Sequence, residues 1–261
     1  MTAFSANLTF LFHERPFLER FGAARDAGFK FVETAFPYDH RPEEIGNRLR
    51  EHDLKLILFN LPPGDLAAGE LGLASDPGRM DDFRRGVESA LERALTWATF
   101  QINCLVGRRR PEVPLEDQHR VLVENLKYAA SRLAKEGRTL LIEPLNTYDF
   151  PGFLLSGSRE AMRLLDEVGS PHLKLQYDLY HMQRMEGNLI ATIRACLERI
   201  GHVQIGDNPD RLPPGTGEIN VANVIRELDR LGYPGFIGLE YFAVPDTSRA
   251  LEWMQQGGFQ P

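Results

Sequence analysis

Thr139-Leu140-Leu141-Ile142-Glu143 and Leu173-Lys174-Leu175-Gln176-Tyr177-Asp178 flank one amphipathic stretch, Ser158–Val168, and this segment decides the fold. Each flanking run is short, mostly apolar and closed by a carboxylate. Runs of that kind fit parallel strands buried on both faces. Strand, helix, strand is the unit of a parallel sheet with its helices outside.

Working outward, the same rhythm covers the chain. Strands are predicted at Ala3–Phe10, Phe29–Thr34, Lys55–Asn60, Gln101–Val106, Thr139–Glu143, Leu173–Asp178, Gly201–Ile205 and Phe236–Glu240. Helical periodicity marks Phe17–Ala27, Met80–Thr99, Glu116–Glu136, Ser158–Val168, Leu189–Ile200, Val221–Leu231 and Ser248–Met254. Gly28 and Gly232 stand just past two of these helices, where a left-handed residue stops the coil. Eight strand–helix units in 261 residues point to a closed (β/α)8 barrel, the TIM-barrel form of the α/β class. No Gly-x-Gly-x-x-Gly turn follows the first strand, which disfavours an open dinucleotide-binding sheet. No linker, repeat or low-complexity tract interrupts residues 1–261, so a single domain is expected.

Composition narrows the function. The formal net charge is −7, and the one basic run, Arg108-Arg109-Arg110, is too short for a phosphate-backbone footprint, so nucleic acid is not an expected partner. The N-terminus lacks a signal-peptide pattern, and no run approaches the roughly 18 apolar residues of a membrane span. A cytoplasmic protein without membrane association is expected. Cys104 and Cys196 read as free, buried thiols. The tail Trp253–Pro261 is apolar enough to pack on another copy, as in a homo-oligomer, or to close the barrel floor.

Barrel active sites lie at the C-terminal ends of the strands. Strands five to eight end on or beside Glu143, Asp178, Gln204 and Glu240. Three carboxylates and an amide on neighbouring strand ends would repel one another without a cation between them. Hard oxygen donors suit Mg2+ or Mn2+, whereas zinc favours His or Cys. The four residues are therefore the expected ligands of a divalent metal. His181, three residues past Asp178, is placed to donate to a substrate oxygen. Arg211, in the loop after strand seven, is placed to hold a substrate carboxylate. Glu33, ending strand two, is a candidate rim acid or supporting partner. At most one of Arg108–Arg110 should reach the site. Pro213-Pro214-Gly215-Thr216-Gly217-Glu218 lacks the Lys-Ser/Thr of a nucleotide loop and reads as a rigid lid segment. His13 and His202 read as packed histidines in apolar surroundings.

Gln176-Tyr177-Asp178-Leu179-Tyr180-His181-Met182-Gln183 and Pro214-Gly215-Thr216-Gly217-Glu218-Ile219-Asn220 carry the most specific resemblance in the chain. With Phe36-Pro37-Tyr38, Phe59–Asp65, Ile142-Glu143-Pro144-Leu145-Asn146, His202–Ile205 and Gly238–Tyr241, they make the sequence similar to the hydroxypyruvate isomerase family, within the wider xylose-isomerase-like barrels. The resemblance implies that Glu143 and Glu240 are the catalytic acid/base pair. It also implies that Glu143, Asp178, Gln204 and Glu240 hold the ion, and that the substrate is a small hydroxy-carbonyl acid or sugar. Phe242 and Leu212 depart from the Lys and His that such relatives carry, which bears on substrate choice. A 2-oxo-tetronate isomerase or a ketose 3-epimerase would use the same machinery. A histidine-rich zinc endonuclease on a similar barrel, and a non-catalytic sugar-acid binder, fit less well: the first needs paired histidines, the second needs no paired bases.

Overall fold

A computed structural model describes residues 3–261. Eight parallel strands pair in sequence order, and β8 closes on β1, forming the expected barrel. The strands are β1 (Ala3–Asn7), β2 (Phe31–Glu33), β3 (Lys55–Asn60), β4 (Gln101–Cys104), β5 (Thr139–Ile142), β6 (Leu173–Asp178), β7 (Ile200–Ile205) and β8 (Phe236–Leu239). Outside them run α1 (Arg20–Asp26), α2 (Pro42–Glu51), α3 (Met80–Trp97), α4 (Leu115–Lys135), α5 (Ser158–Val168), α6 (Leu179–Met185), α7 (Leu189–Cys196), α8 (Val221–Arg230), α9 (Thr247–Ala250) and α10 (Glu252–Gly257).

Two helices went unassigned in the sequence. Helix α2 presents only Ile45, Gly46 and Leu49 to the core within a charged stretch, so its apolar stripe is thin. Helix α6 starts directly after β6, where Asp178 caps it by accepting the Tyr180 N–H at 2.7 Å. The first strand is also shorter than expected, because Leu8–Phe10 leave the ladder in a turn. The expected final helix divides into α9 and α10.

Side chains alternate across each strand, so residues two apart share a face. One main core, including Val32, Ile102, Leu140, Leu175 and Val203, fills the space between strands and helices. A separate cluster of Leu58 and Leu141 packs with Phe31, Phe100 and Phe236. Phe31, Leu141 and Phe236 lie two residues before Glu33, Glu143 and Gly238, on the same inward face. Apolar packing thus fills the lower barrel and pushes the polar inward residues toward the C-terminal rim. At the N-terminal end the tail folds back: Phe4 packs edge-on against Trp253 and Phe259 at centroid distances of 6.4 and 5.9 Å. Both cysteines are free and buried. Among the described residues no helix is long and apolar enough to cross a membrane.

Candidate active site

The strand ends bring Glu143, Asp178 and Glu240 into one cluster. Glu143 is buried directly after β5, and its Oε2 accepts from Asn103 Nδ2 of β4 at 3.0 Å. Its Oε1 is buried with no hydrogen-bond partner. Asp178 is fully buried; besides capping α6, its Oδ2 accepts from Arg211 Nη2 at 3.1 Å. Glu240 Oε1 accepts from the same Arg211 nitrogen, and its Oε2 accepts from Asn7 Nδ2 at 2.7 Å and from Gln204 Nε2.

Arg211 is therefore the cation at the centre of the site. It has φ +55°, a left-handed conformation that costs a non-glycine residue about 1–3 kcal/mol. The loop that imposes this is held by Asp207, whose buried carboxylate accepts the backbone N–H groups of Asn208, Gly215, Gly217 and Ile219 at 2.8–2.9 Å. Gly217 is required there, since a Cβ would lie 2.0 Å from the Asn208 carbonyl oxygen. The lid expected at Pro213–Glu218 is thus a fixed loop. Its product is the placement of Arg211, whose guanidinium also lies 4.8 Å from the Phe10 ring centre and 5.2 Å from that of Tyr180.

One guanidinium does not balance three carboxylates. Burial, with repulsion from Glu240 and Asp178, pushes the Glu143 carboxyl well above its ordinary range. Burial likewise raises Asp178 against the pull of Arg211. Glu240 is pushed up to about 8, by burial first, with Arg211 opposing and Asp178 and Glu33 adding to the rise. Raised acids and an orphaned, buried Glu143 oxygen mark a cluster short of positive charge, and a hard divalent ion fits that deficit. Glu143, Asp178 and His181 each offer a ligand atom within 4.8 Å of the others.

His181 differs from the two acids. Its Nδ1 accepts the Asn146 backbone N–H at 3.2 Å, so in the neutral ring the proton sits on Nε2. Burial first, then Arg211 and Arg184, hold its pKa well below the usual value, which keeps it neutral. Nε2 lies 3.6 Å from Asp178 Oδ2 and presents an N–H, the form of a donor.

Gln204 reaches the cluster through its amide nitrogen. Its Oε1 accepts from Gln176 Nε2 at 2.6 Å, and its Nε2 donates to Glu33 Oε1 at 2.8 Å and to Glu240. The arginine run stays outside: Arg108 bonds the Pro151 carbonyl, and Arg110 pairs with Asp76 at 2.7 Å. His13 is exposed beside Glu14, contrary to the expected packed position, because it follows the turn outside β1. His202 is fully buried, but paired with Glu33 rather than set among apolar groups. Asn7, Asn103 and Gln176 were not singled out in the sequence, and each touches a site residue. A polar residue inside an apolar strand was the available signal.

Comparison with known proteins agrees with this geometry. The xylose isomerase-like TIM barrel family matches residues 21–257. The hydroxypyruvate isomerase of Escherichia coli (strain K12) is 49% identical over 97% of this chain and 98% of its own. A 2-oxo-tetronate isomerase of Cupriavidus necator is 40% identical, covering 98% of each chain. A solved Brucella melitensis protein, named as an AP endonuclease of family 2, superposes with a TM-score of 0.95 at 40% identity, over 98% of this chain and 99% of that one.

Proposed function

The chain belongs to the xylose isomerase-like TIM barrel family, as an isomerase, and we propose that it interconverts hydroxypyruvate and tartronate semialdehyde. The observation that carries this reading is that Glu143 and Glu240, both raised in pKa and repelling one another, stand at neighbouring strand ends with Asp178, around Arg211.

The chemical task is to move a proton between adjacent carbons. Hydroxypyruvate loses a proton from C3, the resulting enediolate regains one at C2, and a proton passes between the two oxygens. Glu143 and Glu240 are assigned as the acid/base pair. A carboxyl held above the ordinary range by burial takes up a proton from carbon more readily than an ordinary one. The neutral His181 Nε2–H donates to a substrate oxygen without adding charge. Arg211 Nη1 makes no hydrogen bond among the described residues, and this edge holds the substrate carboxylate. Glu143, Asp178 and Glu240 would hold a divalent ion, Mg2+ or Mn2+. Gln204 joins them if its amide turns. Such an ion supplies Lewis-acid polarisation of the carbonyl and hydroxyl oxygens.

The endonuclease name of the Brucella protein suggests a different chemistry. The ligand set read here is three carboxylates, with His181 as a donor beside them, against the histidine-rich zinc set of such nucleases. The substrate remains a small hydroxy-carbonyl acid, in a cytoplasmic enzyme. The likeness to the Cupriavidus isomerase makes a four-carbon 2-oxo acid the second reading. Phe242 supports testing it, because this half-exposed ring packs 5.3 Å from Phe10 beside Arg211. Purified protein assayed with hydroxypyruvate and with a 2-oxo-tetronate, each coupled to NADH-dependent reduction of its product, separates them. Higher kcat/KM for hydroxypyruvate is expected. Turnover confined to the four-carbon acid would replace the first reading with the second.

A further inference from the structure

The Arg211 guanidinium is tied to the cluster by one end only. Its Nη2 donates to Asp178 and Glu240, its Nε makes a long bond to the Glu240 carbonyl at 3.4 Å, and its Nη1 edge has no hydrogen-bond partner among the described residues. Two aromatic rings steady the rest. The guanidinium carbon lies 4.8 Å from the Phe10 ring centre and 5.2 Å from that of Tyr180. A ring face attracts a cation through its quadrupole. It does so without taking up N–H groups, as a carboxylate or carbonyl oxygen in the same place would. The two rings therefore restrain the guanidinium and leave Nη1 free.

Both rings are themselves fixed. Phe10 stands in the turn after β1, where its N–H and that of Leu11 donate to the Asn7 carbonyl at 3.1 and 2.8 Å. Its ring packs 5.3 Å from that of Phe242, whose N–H donates to the Arg211 carbonyl at 2.8 Å. Tyr180, in the first turn of α6, donates its hydroxyl to Asp149 at 2.6 Å and accepts from Arg184 at 2.7 Å. Segments that follow β1, β6 and β8 thus meet on one side chain of the loop after β7. Phe10 lies past the β1 ladder and outside the main core, so barrel packing does not call for an aromatic ring there. We infer that Phe10 is a positioning residue for substrate binding: with Tyr180 it brackets the Arg211 guanidinium and keeps the Nη1 edge turned to the substrate carboxylate. The inference rests on the reading of Arg211 as the group that holds that carboxylate.

The assay uses whichever of hydroxypyruvate and the four-carbon 2-oxo acid the wild-type protein turns over, with Mg2+ or Mn2+ present. Phe10→Leu removes the ring face and keeps an apolar side chain. Its KM should rise by about 3–30-fold, the scale of a partly desolvated cation–π contact, with kcat changed less than about threefold. Phe10→Tyr, which keeps the ring, should recover most of that loss. A merely structural role would not divide KM from kcat in this way. Should Phe10→Leu not fold, Phe10→Met fills a similar volume without a ring face and carries the same expectation. Independently of turnover, NMR of the side-chain nitrogens, assigned by their loss in Arg211→Lys, should show Nη1 and Nη2 of Arg211 exchanging places measurably faster in Phe10→Leu than in the wild type. A folded Phe10→Leu with unchanged KM, a Phe10→Tyr no better than Phe10→Leu, or an Arg211 exchange rate that does not respond to Phe10→Leu would each overturn the inference. Unchanged KM in Arg211→Lys would fall instead on the reading of Arg211 itself. A wild-type protein inactive on both acids would count against the functional reading, while the NMR result would still decide the bracket.

Discussion

At the residue scale, the site concentrates negative charge that the fold does not neutralise. Glu143, Asp178 and Glu240 share one buried guanidinium, and all three are held above their ordinary pKa range. Glu143→Gln and Glu240→Gln each remove an acid/base group and one member of that repulsion. Turnover should fall by about 10²–10⁴-fold or more in each, while the melting temperature stays level or rises. Steady-state kinetics and thermal denaturation check both halves; normal kcat in both variants would remove the assignment. The carboxylates at strand ends were legible in the sequence because a charge closing an apolar run is conspicuous. The supporting amides were not. Asn7, Asn103 and Gln176 look like ordinary strand polars until the sheet sets each beside its partner, Asn7 by the closure of β1 on β8 and the other two on adjacent strands. Gln204 was legible as a site residue, but not the direction of its amide, whose partners Gln176 and Glu33 come within reach only when the barrel closes.

At the element scale, the loop after β7 is as much a part of the site as the strands. Asp207 gathers four backbone N–H groups, and the resulting shape holds Arg211 in its left-handed conformation. Asp207→Ala strands those donors. It should cost about 2–4 kcal/mol of stability and raise KM for the acid substrate more than it lowers kcat. Denaturant titration and a KM–kcat comparison read this, and an unchanged KM would detach the loop from substrate binding. Gly238→Ala drives a methyl into the Glu33 carboxylate and should destabilise by about 1–3 kcal/mol through overpacking. Strand positions were readable because each strand is a short, mostly apolar run. Helix α2 was not, because its charged residues outnumber its buried ones; nor was α6, which begins with no spacer after β6.

For the whole molecule, the barrel is stable enough to bury a cluster that opposes folding. The sign follows from the raised acids. A carboxyl near 4.5 when unfolded and about 8 when folded binds its proton more tightly in the native state. Its contribution is favourable below the unfolded pKa and is lost as pH rises through the folded one. The metal-free protein should therefore lose stability between about pH 5 and 8, and a divalent ion should restore it. Thermal denaturation with and without Mg2+ or Mn2+ should show a stabilisation that grows with pH. A pH-independent difference would mean that the three acids do not form the ion's site.

The most direct test of the account is turnover of hydroxypyruvate by EDTA-treated protein, followed through coupled reduction of tartronate semialdehyde, before and after Mg2+ or Mn2+ is added back. The account predicts turnover that is lost to EDTA, returns with metal, and is absent from Glu240→Gln under every condition. Folded wild-type protein that shows no turnover with any metal, or equal turnover in Glu240→Gln, would contradict it.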